Sequence, residues 1–275
     1  MQTFVVGRYY FNTLFRDQAN SHFVVDLEKK PYYEENGYTY ALGNFGGDEH
    51  KGFDLIRGTF GRVKKGEMAD IYDKKNKKFK AEVMPDAADI MLEFLINHSN
   101  HLIFVEYNSR FRPQQFAQVF KKIYSKTSSI SDMELDYILI EKDIFDNVKK
   151  WNKVGRVVFR KLRPSNPGSY DYFKDIEDLL KETNSASTNI EFRAQQPKSE
   201  HGDDHGLVYD SKLIKQGIAL SAHGYGQAVL EGQEGDEKVH IETGRFLKRI
   251  QVDFSKDGAL DKITQTIEDI SKHEK

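Results

Sequence analysis

The chain has 275 residues, 31% of them Asp, Glu, Lys or Arg and 12% aromatic, with a formal charge of −2. That aromatic content argues for packed cores rather than disorder. It contains no cysteine, which excludes disulfides, zinc-thiolate sites, iron–sulfur clusters and thiol nucleophiles. No apolar run approaches a membrane span and Met1–Arg8 reads as a strand rather than a secretory signal, so the expectation is a cytoplasmic protein without membrane insertion.

In chain order, the first part looks β-rich. Phe4–Val6, Phe23–Val25, Tyr38–Leu42 and Phe53–Ile56 are short β-branched or aromatic runs. Turn-like clusters, Glu35-Asn36-Gly37 and Asn44–Asp48, separate them. Ala69–Tyr72 and Phe79–Val83 suit a hairpin around a Lys-rich turn. Asp86–Asn97 reads as a helix, with Ile90, Met91, Phe94 and Leu95 at three- and four-residue spacing.

From His101 strands and helices alternate. Strands are predicted over His101–Glu106, Met133–Glu141, Val154–Leu162, Thr188–Ala194, Gln227–Glu231, Lys238–Glu242 and Phe246–Phe254. Helices are predicted from Pro113 to Tyr124, Ile144 to Trp151, Tyr170 to Thr183, Ser211 to Ala222 and Ala259 to Ser271. In the helix after Ser211, Leu213, Ile214, Gly217 and Ile218 form the expected stripe. The fold class is therefore α+β: a β-rich N-terminal part (1–98), then an αβ part (99–275) with a mixed or antiparallel sheet.

Charge is unevenly spread. Residues 101–170 carry thirteen Lys/Arg against seven Asp/Glu, whereas residues 171–275 carry fourteen against twenty-one. A concentrated basic block suggests a polyanionic partner such as DNA. The candidate contacts are Arg110, Arg112, Lys121, Lys122, Lys149, Lys150, Lys153, Arg156, Arg160, Lys161 and Arg163. Strand alternation puts Arg156 and Arg160 on one face, and Lys161 and Arg163 on the other. Tyr107, Phe111, Tyr124 and Trp151 could stack on bases if exposed. The bland alternative is an ordinary solvated surface, with some cations serving helix C-termini.

Metal candidates are weaker. Glu200–His205 places His201 and His205 among carboxylates, a set that suits Zn²⁺, Mn²⁺ or Ni²⁺ only if the loop is held and other ligands join it; a solvated loop is the better expectation. Asp132, Glu134 and Asp136 alternate along one strand, but no adjacent Lys completes a nuclease signature. His223-Gly224-Tyr225-Gly226 fits a helix cap and turn, with Gly224 as the cap. It is not a phosphate loop, since no Gly-Lys-Ser/Thr follows it. No cofactor and no catalytic residues are indicated.

Arg163-Pro164-Ser165-Asn166-Pro167-Gly168 begins an ordered series: an acidic helix with Ile176, Leu179 and Leu180, the His223–Gly226 turn, and a hairpin around Gly235-Asp236. Over about residues 100–255 this layout resembles a family of uncharacterised bacterial and phage proteins. Its broader relatives include the phage-exclusion protein RexA and the DNA-binding KwaB subunit of the Kiwa defence system. The resemblance implies a DNA-binding or sensing component of an anti-phage, abortive-infection-like system, a partner protein within it, and a homodimer. The leading expectation is a non-enzymatic, sequence-tolerant DNA-binding protein. The rivals are a metal-dependent nuclease or hydrolase, and a protein-interaction module whose acidic half meets a basic partner.

Overall fold

In the computed structural model, the structure describes residues 1–12, 16–29, 31–64, 66, 68–73, 78–83, 87–128, 132–165, 170–195, 206–256 and 258–272. The elements in chain order are β1 (Gln2–Asn12), α1 (Arg16–Glu28), β2 (Tyr32–Glu35), β3 (Tyr38–His50), β4 (Phe53–Lys64), β5 (Met68–Asp73), β6 (Lys78–Val83), β7 (Ala87–Asn97) and β8 (Leu102–Glu106). Then come α2 (Pro113–Thr127), β9 (Asp132–Tyr137), α3 (Glu141–Val148), β10 (Lys153–Leu162), α4 (Tyr170–Glu182), β11 (Thr188–Arg193) and α5 (Lys212–Ala222). The last are β12 (Gln227–Glu234), β13 (Glu237–Glu242), a 3-10 turn (Thr243–Arg245), β14 (Arg249–Val252) and α6 (Ala259–Lys272). The fold is α+β with antiparallel sheets and a β-rich N-terminal part, as the sequence indicates.

The chain divides into two compact units. One, the split unit, is built from Met1–Arg8 and Leu135–Lys275; the other, the inserted unit, is Tyr9–Glu134. Strand β8 and helix α2, grouped by the sequence with the C-terminal part, thus belong with the elements that precede them.

In the inserted unit, β8, β7, β4, β3 and β2 hydrogen-bond in that order. The Asn36-Gly37 turn, both residues at positive φ, closes β2 on β3, as a two-residue hairpin requires. Phe116 and Phe120 of α2 pack on Phe60 and Phe94, with ring centroids 5.2 and 5.9 Å apart for Phe60–Phe116 and Phe94–Phe120. A second aromatic cluster joins Tyr9, Phe11, Phe23 and Tyr124 to His98 and His101. There the Tyr9 hydroxyl meets His98 Nδ1 at 2.7 Å, so these two histidines complete a core. The expected hairpin is present as β5 and β6, with Asp73 opposite Lys78.

Three expectations fail here. Asp86–Asn97 is not a helix: residues 87–97 form strand β7. Ile90, Leu92, Phe94 and Ile96 alternate inward, and Met91, counted in the helical stripe, is 59% exposed. A run in which both periods find apolar partners is decided by its neighbours, here β4 and β8. Phe23–Val25 is not a strand but lies in α1, where Ala19, Phe23 and Leu27 recur every four residues and are buried. Asn44–Asp48 does not end a strand. It lies inside β3, whose register with β4 shifts between Gly43 and Gly46, the signature of a bulge.

The split unit holds a four-stranded antiparallel sheet in the order β11-β10-β12-β13. Helix α5 packs on one face of β10 and β12, and α4 packs on α5. Gly217 permits that approach: a Cβ there would stand 2.4 Å from the Phe159 ring. Leu213, assigned to the buried stripe of α5, is instead exposed. Strand β14 is not part of this sheet; it pairs with β1, Gln2 opposite Val252, and α6 covers it. Among the described residues no helix is long and apolar enough to cross a membrane.

Candidate functional site

The face of the four-stranded sheet opposite α5 carries the charge. On β10 the buried Val157 and Phe159 point toward the helices, which leaves Arg156, Val158 and Arg160 on the other side. Pairing fixes their neighbours: Arg156 lies between Arg193 of β11 and Glu231 of β12, and Glu231 in turn lies beside His240 of β13.

One irregularity shapes this face. The register of β10 on β12 shifts between Val154 and Arg156, so one extra residue, Gly155, enters the strand. Strict alternation would turn Lys153 and Arg156 to opposite faces. The extra residue restores both to the same one. Lys153 is then opposite Gln233, whose other neighbour is Lys238. The result is two rows across the sheet, Lys153–Gln233–Lys238 and Arg156–Glu231–His240. These six side chains line an open cleft of about 540 Å³, floored by Gly155, Gly232 and Val239.

The end of α3 adds to the same edge of the sheet. Asn152 N–H donates to Gln233 O at 2.8 Å, and Gly235 N–H donates to Asn152 Oδ1 at 2.5 Å. The Trp151 ring occupies the space where a side chain at Gly232 would begin. Lys149 and Lys150, both exposed, therefore stand just before the strand that carries Lys153, and Lys149 is only 3.6 Å from Asp146.

Arg156 is held by two carboxylates. Its Nε donates to Glu191 Oε1 at 2.6 Å and its Nη1 to Glu231 Oε1 at 2.8 Å. The Glu191 bond above all raises the Arg156 pKa, while Arg193 and then Arg156 lower that of Glu191. Arg156 is thus a fixed charge within a network and Lys238 an exposed, flexible one.

The other sequence candidates are placed as follows. Arg160 is exposed on the same face as Arg156. Lys161 and Arg163 do not share the opposite face, because a second irregularity lies between Phe159 and Leu162. Lys161 takes a left-handed backbone there, at φ 52, and is exposed. Arg163 is interior at 4% exposure, which closes it to a phosphate backbone. Burial lowers its pKa to about 9, and its Nη1 donates to Asp136 Oδ2 at 3.3 Å.

That pair belongs to a buried polar knot. Gln227 Nε2 donates to Asp136 Oδ1 at 3.0 Å, and Arg163 N–H donates to Tyr225 O at 2.9 Å. Arg8, 1% exposed, donates from Nε to His223 O at 3.1 Å and stacks 4.5 Å from the Tyr225 ring centroid. Gly224, at φ 80, ends α5 in the left-handed conformation of a C-terminal cap. The turns quoted for the resemblance, at Arg163 and at His223–Gly226, meet in this knot. Their visible role is structural; residues 166–168 lie outside the described residues.

In the inserted unit Arg110 and Arg112 are exposed at the start of α2. Lys121 is paired with Glu134 at 2.5 Å and Lys122 with Glu35 at 2.7 Å. Of the aromatic residues considered for stacking, Tyr107 is exposed, whereas Phe111 and Tyr124 are buried.

The carboxylate row does not act as a unit, for Glu134 binds Lys121 while Asp136 is in the knot. Among the described residues no group of three His, Asp or Glu is placed to hold a metal ion; His201 and His205 lie outside the described residues.

Sequence reasoning missed Lys238. It sits in the acidic half, where a regional charge count hides it, and only the β12–β13 hairpin carries it beside Lys153.

Residues 13–269 match the family described as a domain of unknown function (DUF4747). The match spans nearly the whole chain, and the protein belongs to that family. No curated protein matches it.

Proposed function

We propose that this protein binds DNA in a sequence-tolerant way, through the outer face of the four-stranded sheet in its split unit. One observation carries the reading: the bulge at Gly155 places Lys153 and Arg156 on one face with Lys238 and His240, around an open cleft. Lys153 and Lys238 flank a neutral Gln233 and suit two phosphate oxygens, while Arg156 is oriented by its two carboxylates for a third. Arg160 extends the positive charge along the same face, and the exposed Lys149 and Lys150 stand just before the strand that carries Lys153. Contacts of this kind go to the backbone and carry little sequence information.

The resemblance to phage-exclusion and defence proteins supports a role for that binding in an anti-phage system, in the cytoplasm and with a partner protein. The reaction class that fits is binding without chemistry, since the cleft combines cations and one carboxylate with no nucleophile–base pair.

Fluorescence anisotropy with duplex and single-stranded DNA across a salt series tests the reading. Three phosphate contacts give a log–log slope of about −2.7, which is a loss of about 40-fold between about 50 and 200 mM salt. Each of Lys153→Ala and Lys238→Ala should flatten that slope by about 0.9. Absence of binding at low salt, or slopes unchanged in both variants, overturns it.

A further inference from the structure

We infer that β13 is a docking edge for a second copy of this chain, and that two copies pair β13 against β13 about His240. Strand β13 ends the order β11-β10-β12-β13, so one side of it bonds β12 and the other faces away from the sheet. Among the described residues, no further backbone hydrogen bond involves Glu237–Glu242. An edge of this kind presents a row of unsatisfied N–H and C=O groups, a ready template for another strand.

Symmetry restricts the register. Two copies of one strand joined antiparallel are related by a twofold axis perpendicular to the sheet. Such an axis keeps the outer face outward in both copies, so each residue must meet one of its own parity. The outer residues are Lys238, His240 and Glu242; the inner ones are Glu237, Val239 and Ile241, as the partners of β13 on β12 show.

Centring on Val239 would set Lys238 against the partner's His240 and Glu237 against the partner's Ile241. Centring on Ile241 would set His240 against the partner's Glu242 and Val239 against the partner's Thr243, a buried residue whose hydroxyl accepts from Ala228 N–H. Centring on His240 sets Lys238 against the partner's Glu242, twice, and Val239 against the partner's Ile241, twice. This register also sets His240 against its own copy and Glu237 against the partner's Thr243; of the three it alone makes the flanking outer pairs opposite in charge and the flanking inner pairs apolar, which are the favourable cross-strand combinations.

At the opposite edge the charged residues are already paired within the monomer. Centring β11 on Phe192 would set Glu191 against the partner's Arg193, but Glu191 is already committed to Arg156 and Arg193 of its own chain.

The consequence for the cleft is direct. Lys238 and His240 line it, so a dimer joined at His240 sets two clefts side by side on one face of an eight-stranded sheet. That geometry would lengthen a phosphate-tracking surface. The dimer itself does not depend on DNA binding, and its mass is measured without DNA.

Sedimentation equilibrium of the full chain should give about twice the 31.8 kDa monomer mass. Lys238→Glu and Glu242→Lys should each raise the dissociation constant by about tenfold or more, because like charges then meet at both ends of the joint. The double variant Lys238→Glu/Glu242→Lys should restore the dimer. Both side chains are exposed, and unchanged circular dichroism would confirm that each variant folds. A monomer at the highest attainable concentration overturns the inference. So does a dimer indifferent to both single reversals, or one that the double variant fails to recover. Glu242→Lys separates the two readings: it breaks the dimer without removing a cation from the cleft, so DNA binding per monomer should persist.

Discussion

Consider Asp136→Asn. The carboxylate lies 3.3 Å from Arg163 Nη1, and both side chains are buried. At an effective dielectric constant of about 20, two unit charges at that separation attract by about 5 kcal/mol. Burial alone lowers the Arg163 pKa to about 9, so the guanidinium bears a desolvation penalty that the carboxylate offsets. Asparagine keeps the shape and removes the charge, and the penalty stays. Breaking one side of a buried pair costs about 3–5 kcal/mol.

The single tryptophan, Trp151, belongs to the split unit and packs at Gly232. Its fluorescence therefore follows the unit that contains the pair, even if the two units unfold separately. With an m-value of about 2 kcal/mol/M, the urea midpoint should fall by about 2 M. Arg163→Met should cost less, because it takes away the penalised charge. The double variant Asp136→Leu/Arg163→Met should be more stable than the sum of the single losses implies. A cost below about 1 kcal/mol for Asp136→Asn would refute the buried pair and return Arg163 to the surface.

Other outcomes follow from the same structure. Arg163→Met, once shown to be folded, should leave the salt slope of DNA binding unchanged, while Lys150→Ala should lower affinity at low salt. Gly217→Ala should destabilise the split unit by about 1–3 kcal/mol through overpacking, since the new methyl meets the Phe159 ring; thermal melts followed at Trp151 would show it. Burial, with Tyr124 beside it in the case of Tyr9, raises the phenol pKa values of Tyr9 and Tyr137 well above the usual 10. A raised phenol pKa stabilises fully below the unfolded value near 10 and is lost as pH rises through the folded values. Tyr9 and Tyr137 lie in different units, and each should make the stability of its own unit fall with a slope that approaches about 1.4 kcal/mol per pH unit by about one unit above pH 10. Equilibrium unfolding followed at Trp151 at stepped alkaline pH would check the slope of the split unit, and Tyr137→Phe should remove that contribution.

Much of the αβ half was legible locally. Helices α2, α4 and α6 each repeat apolar residues at three and four, and their burial follows, as with Ile263, Ile267 and Ile270. Strand β11 alternates as expected, and Asn36-Gly37 names its own turn. Phe23–Val25 and Asp86–Asn97 were misread for one reason. Short apolar runs satisfy both a helical and a strand period, and the choice falls to partners far away in sequence.

The site shows the same division. The amino-acid sequence by itself determined that cations concentrate between residues 101 and 170, because charge is a property of residues. Which of them share a surface depends on nonlocal pairing. A bulge at Gly155 turns Lys153 to the side of Arg156, and a left-handed Lys161 sends Arg163 inward to Asp136. The β12–β13 hairpin brings Lys238 out of the acidic half to Lys153. Strand register is set by hydrogen bonds between segments about 80 residues apart in this chain, and a single inserted residue reverses every face that follows it; only the tertiary structure could decide that.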